Sequence, residues 1–212
     1  MPARPAALAA DELRLVWCPE QAEEGARRAR VDRVLRAVLA PLLDLAPEQL
    51  RFGREEKGRP FLRHEGAPDF NLSDTAGGTL IALCAQGRIG ADLERLDRQL
   101  PVARLARRYF AASEISSLGA LDEESARIGF LRLWTAKEAS CKATGTGIFG
   151  WLPRWQFEVG EEQPRLREAP VEAGEASRWQ FFRVLPSVEH TAVLSLCDGA
   201  LSPRVSGYCL AE

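Results

Sequence analysis

TLIALCAQGRIGADLERL, residues 79–96, joins two strand-like segments across a single glycine. Leu80–Ala85 is an apolar run of strand length, Gly87 breaks it, and Ile89–Leu96 resumes as a second strand. Strand alternation in the second part puts Ile89, Ala91 and Leu93 on one face and Asp92 and Glu94 on the other. Carboxylates are poor strand formers, and two side by side repel unless a cation neutralises them or one is protonated. Two hard oxygen donors aimed one way suit Mg²⁺. Taken alone, the pair reads first as an exposed strand end with both charges in water.

Working outward, the N-terminal side offers a short strand, Leu13–Trp17, and then an amphipathic helix from about Glu23 to Leu43. Val31, Val34, Leu35, Val38, Leu39 and Leu42 supply its apolar stripe. Arg27, Arg28 and Arg30 stand at its start, against the preference of the helix dipole, where they serve an anion or simply solvent. RFGREEKGRPFL (51–62) reads as strand, polar turn, strand, and APDFNLSDTAGG (67–78) as a turn-rich approach to the apolar run. On the C-terminal side, helices are expected over Val102–Phe110, over Glu114–Leu121 with Ser113 as its cap, and over Arg127–Thr144 ending at Gly145. Strands WQFEV, WQFFRVL, TAVLSLC and SGYCL follow. TAVLSLCDG (191–199) is similar to TLIALCAQG (79–87), a hint of a duplicated α+β unit.

The 212 residues, 46% of them apolar, are enough for a substantial core, and a net charge of −2 gives no sign of disorder or wholesale nucleic-acid binding. Five scattered cysteines without CxxC spacing argue against a disulfide framework or a zinc site and for a reducing compartment. With no apolar leader and no run of membrane-spanning length, a soluble cytoplasmic protein is expected.

LWTAKEASCKATGTGI (133–148) carries the remaining chemistry. Helical spacing groups Trp134, Glu138, Cys141 and Lys142 on one side, while Lys137 points elsewhere, toward solvent. Taken by themselves, Glu138 and Lys142 read as an ordinary i, i+4 ion pair worth a few tenths of a kcal/mol. With Asp92 and Glu94 they form a Mg²⁺–diphosphate site, and the glycines of TGTG let backbone approach a ligand.

Taken together, FNLSDT, LIALCAQGRIGADLERL, LWTAKEASCKATGTGI and the GRPFL segment resemble the 4′-phosphopantetheinyl transferases of the surfactin-synthetase-activating type. The resemblance implies two tandem similar α/β subdomains related by a pseudo-twofold, residues 1–87 and 88–212, with the ligand cleft between them. It implies transfer of phosphopantetheine from coenzyme A to a serine of an apo carrier protein, with Mg²⁺ as cofactor and adenosine 3′,5′-bisphosphate released. Neither nucleic acid nor membrane is an expected partner, and one chain suffices, as a monomer. Carried over, Asp92, Glu94 and Glu138 are the Mg²⁺ carboxylates and Glu138 the candidate base. Lys142 meets the diphosphate, Gly58, Arg59 and Pro60 line the adenine end, and Arg59 and Ser73 lie near the 3′-phosphate. Arg27 or Arg30 is the N-terminal arginine on coenzyme A, and the helix bearing Arg104, Arg107, Arg108, Tyr109 and Phe110 faces an acidic carrier.

One position of the coenzyme A-binding set departs: where the family usually has a histidine on the 3′-phosphate after NLS, this chain has Asp74, which either turns toward protein while another cation takes the phosphate, or weakens coenzyme A binding. That departure keeps open a degenerate member that binds coenzyme A or carrier without turnover. The acidic cluster alone also fits a Mg²⁺-dependent phosphohydrolase.

Overall fold

The computed structural model describes residues 7–19, 27–160, 162–200 and 202–210, the side chains of Arg27 and Arg28 excepted. The chain runs through β1 (Glu12–Pro19), α1 (Arg27–Leu39), β2 (Phe52–Arg54), β3 (Pro60–Leu62), β4 (Asp69–Thr75) and β5 (Gly78–Cys84). It continues through β6 (Arg88–Arg95), α2 (Val102–Tyr109), α3 (Ala112–Gly119) and α4 (Glu123–Thr144). Five strands follow: β7 (Gln156–Phe157), β8 (Leu166–Glu168), β9 (Trp179–Ser187), β10 (His190–Cys197) and β11 (Arg204–Cys209). This is an α+β fold.

Two sheets lie at its centre. The apolar runs that look alike in sequence, β5 and β10, are each buried along their whole length and each occupy an inner position of their sheet. One sheet has the order β11-β1-β5-β4 and the other β6-β10-β9. Leu13, Leu15, Leu80 and Ala82 pack against Ile89, Ala91, Ala192 and Leu194 to form the core between the sheets. On the far face of the first sheet, α1 contributes Val34, Leu35 and Val38 to a second core cluster. On the far face of the other, α4 contributes Phe130, Leu133 and Ala136 to a third. Each fully buried Val, Leu, Ile or Phe side chain among them is worth on the order of 1.5–3 kcal/mol. Strand β11 pairs in parallel with β1, so the chain's last strand joins the N-terminal sheet.

Strand β4 is where the turn-rich reading of APDFNLSDTAGG gives way. Its backbone pairs with β5, and its alternate side chains replace a second ladder. Asp69 Oδ2, Asn71 Oδ1 and Ser73 Oγ accept hydrogen bonds from the backbone N–H groups of Ile89, Ala91 and Leu93, at 2.7, 3.2 and 3.1 Å. Asp, Asn and Ser are turn formers because their short polar chains bond nearby backbone. Here the same property ties one sheet to the strand that begins the other.

Helix boundaries also differ from expectation: the expected start of the first helix at Glu23 lies outside the described residues, and α4 begins at Glu123, one turn before Arg127. The first helix ends at Leu39 and tightens into a 3₁₀ turn over Ala40–Leu43. Helix α3 begins after Ala111, not Ser113; Glu114 reaches back to accept the Ala111 N–H, so the carboxylate does the capping. Asp122 caps α4, and Gly145 closes it at φ 71°.

Candidate functional site

Helix α4 crosses β6 at Gly90, where an added Cβ would collide with the Ala139 carbonyl oxygen. That close approach sets the next turn of α4 over the even-numbered face of β6. Lys142 Nζ donates to Asp92 Oδ1 at 2.7 Å and to Ser73 Oγ at 2.9 Å. Ser73 Oγ donates to Asp92 Oδ1 at 3.0 Å, so Oδ1 serves two donors. Asp92 is 4% exposed, and its Oδ2 is buried with no partner among the described residues. Glu94, buried at the end of the same strand, pairs through Oε1 with the Arg98 guanidinium. Ser73, Asp74, Asp92, Glu94, Arg98, Glu138 and Lys142 line one cavity of about 390 Å³.

Crowding carboxylates in a partly buried pocket moves their proton affinities. Burial, then the Asp92 charge, pushes the Glu138 carboxyl up to about 7, with Lys142 pulling the other way. Burial also raises the Glu94 carboxyl, opposed by its hydrogen bond to Arg98. Glu138 is therefore poised to accept or give a proton near neutral pH.

A larger cleft of about 790 Å³ adjoins this pocket, and Leu72 and Lys142 border both. Gly58, Arg59, Pro60, Gly145 and Gly147 line it, together with the cationic side chains Arg36, Arg54, Lys57 and Arg63. Gly58 adopts φ 92°, the left-handed conformation that closes the turn between β2 and β3.

Most residues expected from the sequence thus border one of the two cavities, but several are occupied differently. Ser73 sits in the Asp92–Lys142 network. Arg59, expected near a 3′-phosphate, is 6% exposed and turned into the protein. It clasps Asp69 with both terminal nitrogens at 3.0 and 2.6 Å, and donates to the carbonyls of Ile89 and Lys142 at 2.9 Å each. With Arg88, which donates to Ala143 O at 2.7 Å, it neutralises the C-terminal carbonyls of α4. Asp74 accepts the Thr79 hydroxyl at 2.8 Å, the first of the two alternatives open for it. Arg30 donates to Pro19 O at 3.2 Å, and the side chain of Arg27 lies outside the described residues.

Lys137 corrects the sequence reading most sharply. It is fully buried, 2.7 Å from Glu114, and donates to the carbonyls of Leu152 and Trp155. The signal for this was present: Lys137 lies four residues after Leu133 and four before Cys141, both on the core stripe of α4. Phe110, expected at a partner surface, is likewise core, stacked on Phe130 at 4.8 Å. Arg104, Arg107 and Arg108 on the same helix are exposed. Arg98 was not singled out in the sequence, although it stands four residues after Glu94.

The donor set fits a hard divalent cation: carboxylate oxygens converge on one pocket and a buried carboxylate oxygen lacks a partner. No group of three or more His, Cys, Asp or Glu side chains is drawn together to hold a metal among the described residues. In the pocket itself Lys142 engages Asp92 and Arg98 engages Glu94. No described helix is long and apolar enough to cross a membrane.

Fold and site together define an α+β protein in which an acidic pocket and a cation-lined cleft meet at one lysine. Residues 88–197 match the family model of the 4′-phosphopantetheinyl transferase superfamily, and the chain belongs to that superfamily. It is 37% identical over 148 residues to the putative 4′-phosphopantetheinyl transferase slr0495 of Synechocystis sp., covering 69% of this chain and 59% of that protein. It is 31% identical over 179 residues to the 4′-phosphopantetheinyl transferase HetI of Nostoc sp., covering 82% and 72%. The 4′-phosphopantetheinyl transferase Sfp of Bacillus subtilis is 30% identical over 138 residues, covering 65% and 59%. The resemblance drawn from the sequence motifs is borne out at the level of the family.

Proposed function

We propose that this chain transfers the 4′-phosphopantetheine group from coenzyme A to a serine hydroxyl of an apo acyl or peptidyl carrier protein, releasing adenosine 3′,5′-bisphosphate. The observation that carries this reading is Lys142, the residue at which the cation-lined cleft and the carboxylate pocket join. A diphosphate lying there has its nucleotide end in the larger cleft and its reacting phosphorus beside Glu138. Family membership and the phosphopantetheinyl transferases among its relatives support the same assignment.

Asp92, Glu94 and Glu138 would hold Mg²⁺, which when bound supplies positive charge against the diphosphate oxygens. Lys142 adds a fixed cation, held in place by Ser73 and Asp92. Glu138 takes the proton from the carrier serine, directly or through a water. The serine oxygen then forms a bond to the β-phosphorus, the bond from that phosphorus to the bridging oxygen breaks, and the nucleotide leaves with the electron pair. Lys142 stabilises the charge on the departing group. Because Arg59 is committed to Asp69 and the α4 carbonyls, Arg54, Lys57 and Arg63 are the exposed cations along the cleft suited to a 3′-phosphate. The exposed arginines of α2 offer a local positive patch to an acidic carrier.

The chain reads as two tandem units, residues 1–87 and 88–212, acting as a cytoplasmic monomer. Support comes from the matching strand orders, β1-β5-β4 and β6-β10-β9, each flanked by a helix on its outer face. Strand β11 departs from this scheme by returning to the N-terminal sheet.

Incubation with coenzyme A, Mg²⁺ and a panel of apo carrier proteins, followed by mass spectrometry of the carriers, tests the proposal. A gain of one phosphopantetheine group is expected, with Asp92→Ala and Glu138→Ala slowed by about 10³-fold while still folded. No modification of any carrier, or near-normal turnover in either variant, sinks the assignment.

A further inference from the structure

The mechanism above gives Arg98 no task. It lies just past β6 with 46% of its side chain exposed, yet its guanidinium turns inward to Glu94, whose side chain is only 9% exposed. An arginine at a surface ordinarily gains little from pairing with a solvated carboxylate. This one reaches a buried carboxylate that would be costly to leave unpaired beside Asp92 and Glu138. Lys142 does the same for Asp92, so the pocket sets two protein cations against four carboxylates, of which Asp74 is bonded to Thr79 and Asp92, Glu94 and Glu138 remain to share them.

We infer that Arg98 is an internal counter-cation that holds Glu94 in the metal-free protein and competes with a divalent cation for that carboxylate. This inference rests on reading the three carboxylates as a divalent-cation site. A Mg²⁺ ion needs its oxygen donors at about 2.0–2.1 Å in near-octahedral array. A guanidinium bound to one of those donors withdraws its electron density and adds a like charge within a few ångströms. The two cations of the pocket are therefore not equivalent. Lys142 is 29% exposed and anchored to both Ser73 and Asp92, so it stays. Arg98, on the wet rim, moves aside at little cost. Metal entry is then an exchange of one cation for another at Glu94, and Arg98 sets how much metal the protein requires. Arg98 acts as a positioning residue through Glu94.

The test uses Mn²⁺ titration of the full chain without coenzyme A, followed by its spin-resonance signal, with Mg²⁺ as competitor. Arg98→Ala should bind Mn²⁺ about fivefold or more tightly than the native protein, and Arg98→Lys should lie between. Added Mg²⁺ should also raise the melting temperature of Arg98→Ala more than that of the native protein. Asp92→Asn should lose binding. If Asp92→Asn loses Mn²⁺ but Arg98→Ala binds no more tightly than the native protein, the inference is overturned while the cation-site reading stands. If the native protein does not bind Mn²⁺, or Asp92→Asn binds it unchanged, both fall. Should Arg98→Ala fail to fold, Arg98→Gln decides by the same comparison, since it keeps a polar side chain without the charge.

Discussion

Helix α4 carries two lysines, each paired to a carboxylate at 2.7 Å, and the two pairs could hardly be used more differently. In the Lys137–Glu114 pair every charged atom has work: the ammonium meets Glu114 and the Leu152 and Trp155 carbonyls, and Glu114 accepts the N–H groups of Ala111 and Phe157. The Phe110 ring closes over the ammonium at 4.9 Å. Around Lys142 and Asp92 one buried oxygen is left without a partner, and a cavity opens beside it. A saturated buried pair fastens elements together. A buried pair with an unsatisfied atom at a cavity mouth stores a cost that a ligand can relieve.

Breaking the sealed pair should therefore produce the largest change in stability. Lys137→Ala strands Glu114 in the core and is expected to cost about 3–5 kcal/mol. That corresponds to a fall of about 10 °C or more in melting temperature, read by calorimetry. A loss of only a degree or two would show the network to be dispensable. Lys142→Ala should shift the balance: Asp92 keeps the Ser73 hydroxyl and faces a cavity that admits water, so the melting temperature falls less than for Lys137→Ala, while carrier modification slows about 10²-fold. Mass-spectrometric rate measurements on a folded variant check it, and a large loss of stability without loss of rate would erase the distinction between the lysines.

Smaller effects refine the open pair. The Glu138 carboxyl titrates near 7 in the folded protein and near 4.5 when exposed. Between those values the folded state holds a proton that the unfolded chain has released, so stability falls as pH rises through this window. Glu138→Gln should accordingly raise the melting temperature at pH 8, by about 2–4 °C per kcal/mol relieved, and bring no gain near pH 4.5. An equal shift at both pH values would mean that burial of the charge is not its cause. Asp74→His should have the least effect: the Thr79 contact is lost, and coenzyme A binds at least as tightly in calorimetric titration. A large loss of affinity would give Asp74 a positive role at the ligand.

Much of this arrangement is legible in the chain itself, because it follows from local periodicity. Alternation along Ile89–Leu96 put Asp92 and Glu94 on one face. Helical spacing put Glu138 and Lys142 together. Gly145 marked the end of α4. Strand β4 was not legible, since its polar side chains spell a turn until β6 lies alongside to accept them as bonding partners. Arg59 has the composition of a phosphate ligand and becomes a tie between β4, β6 and α4 through bonds that cross 10, 30 and 83 residues of sequence.

Local periodicity specifies the chemical groups and the face each presents on its own element: an acidic strand face, an acid and a lysine one helical turn apart, and glycines where backbone must turn or yield. Tertiary structure alone decided which cation meets which carboxylate, sealing Lys137 against Glu114 and leaving Lys142 and Arg98 at the pocket. The physical reason is that periodicity fixes direction within a turn or a pleat. Pairing, by contrast, depends on distance and desolvation, which exist only once α3, α4 and β6 have packed.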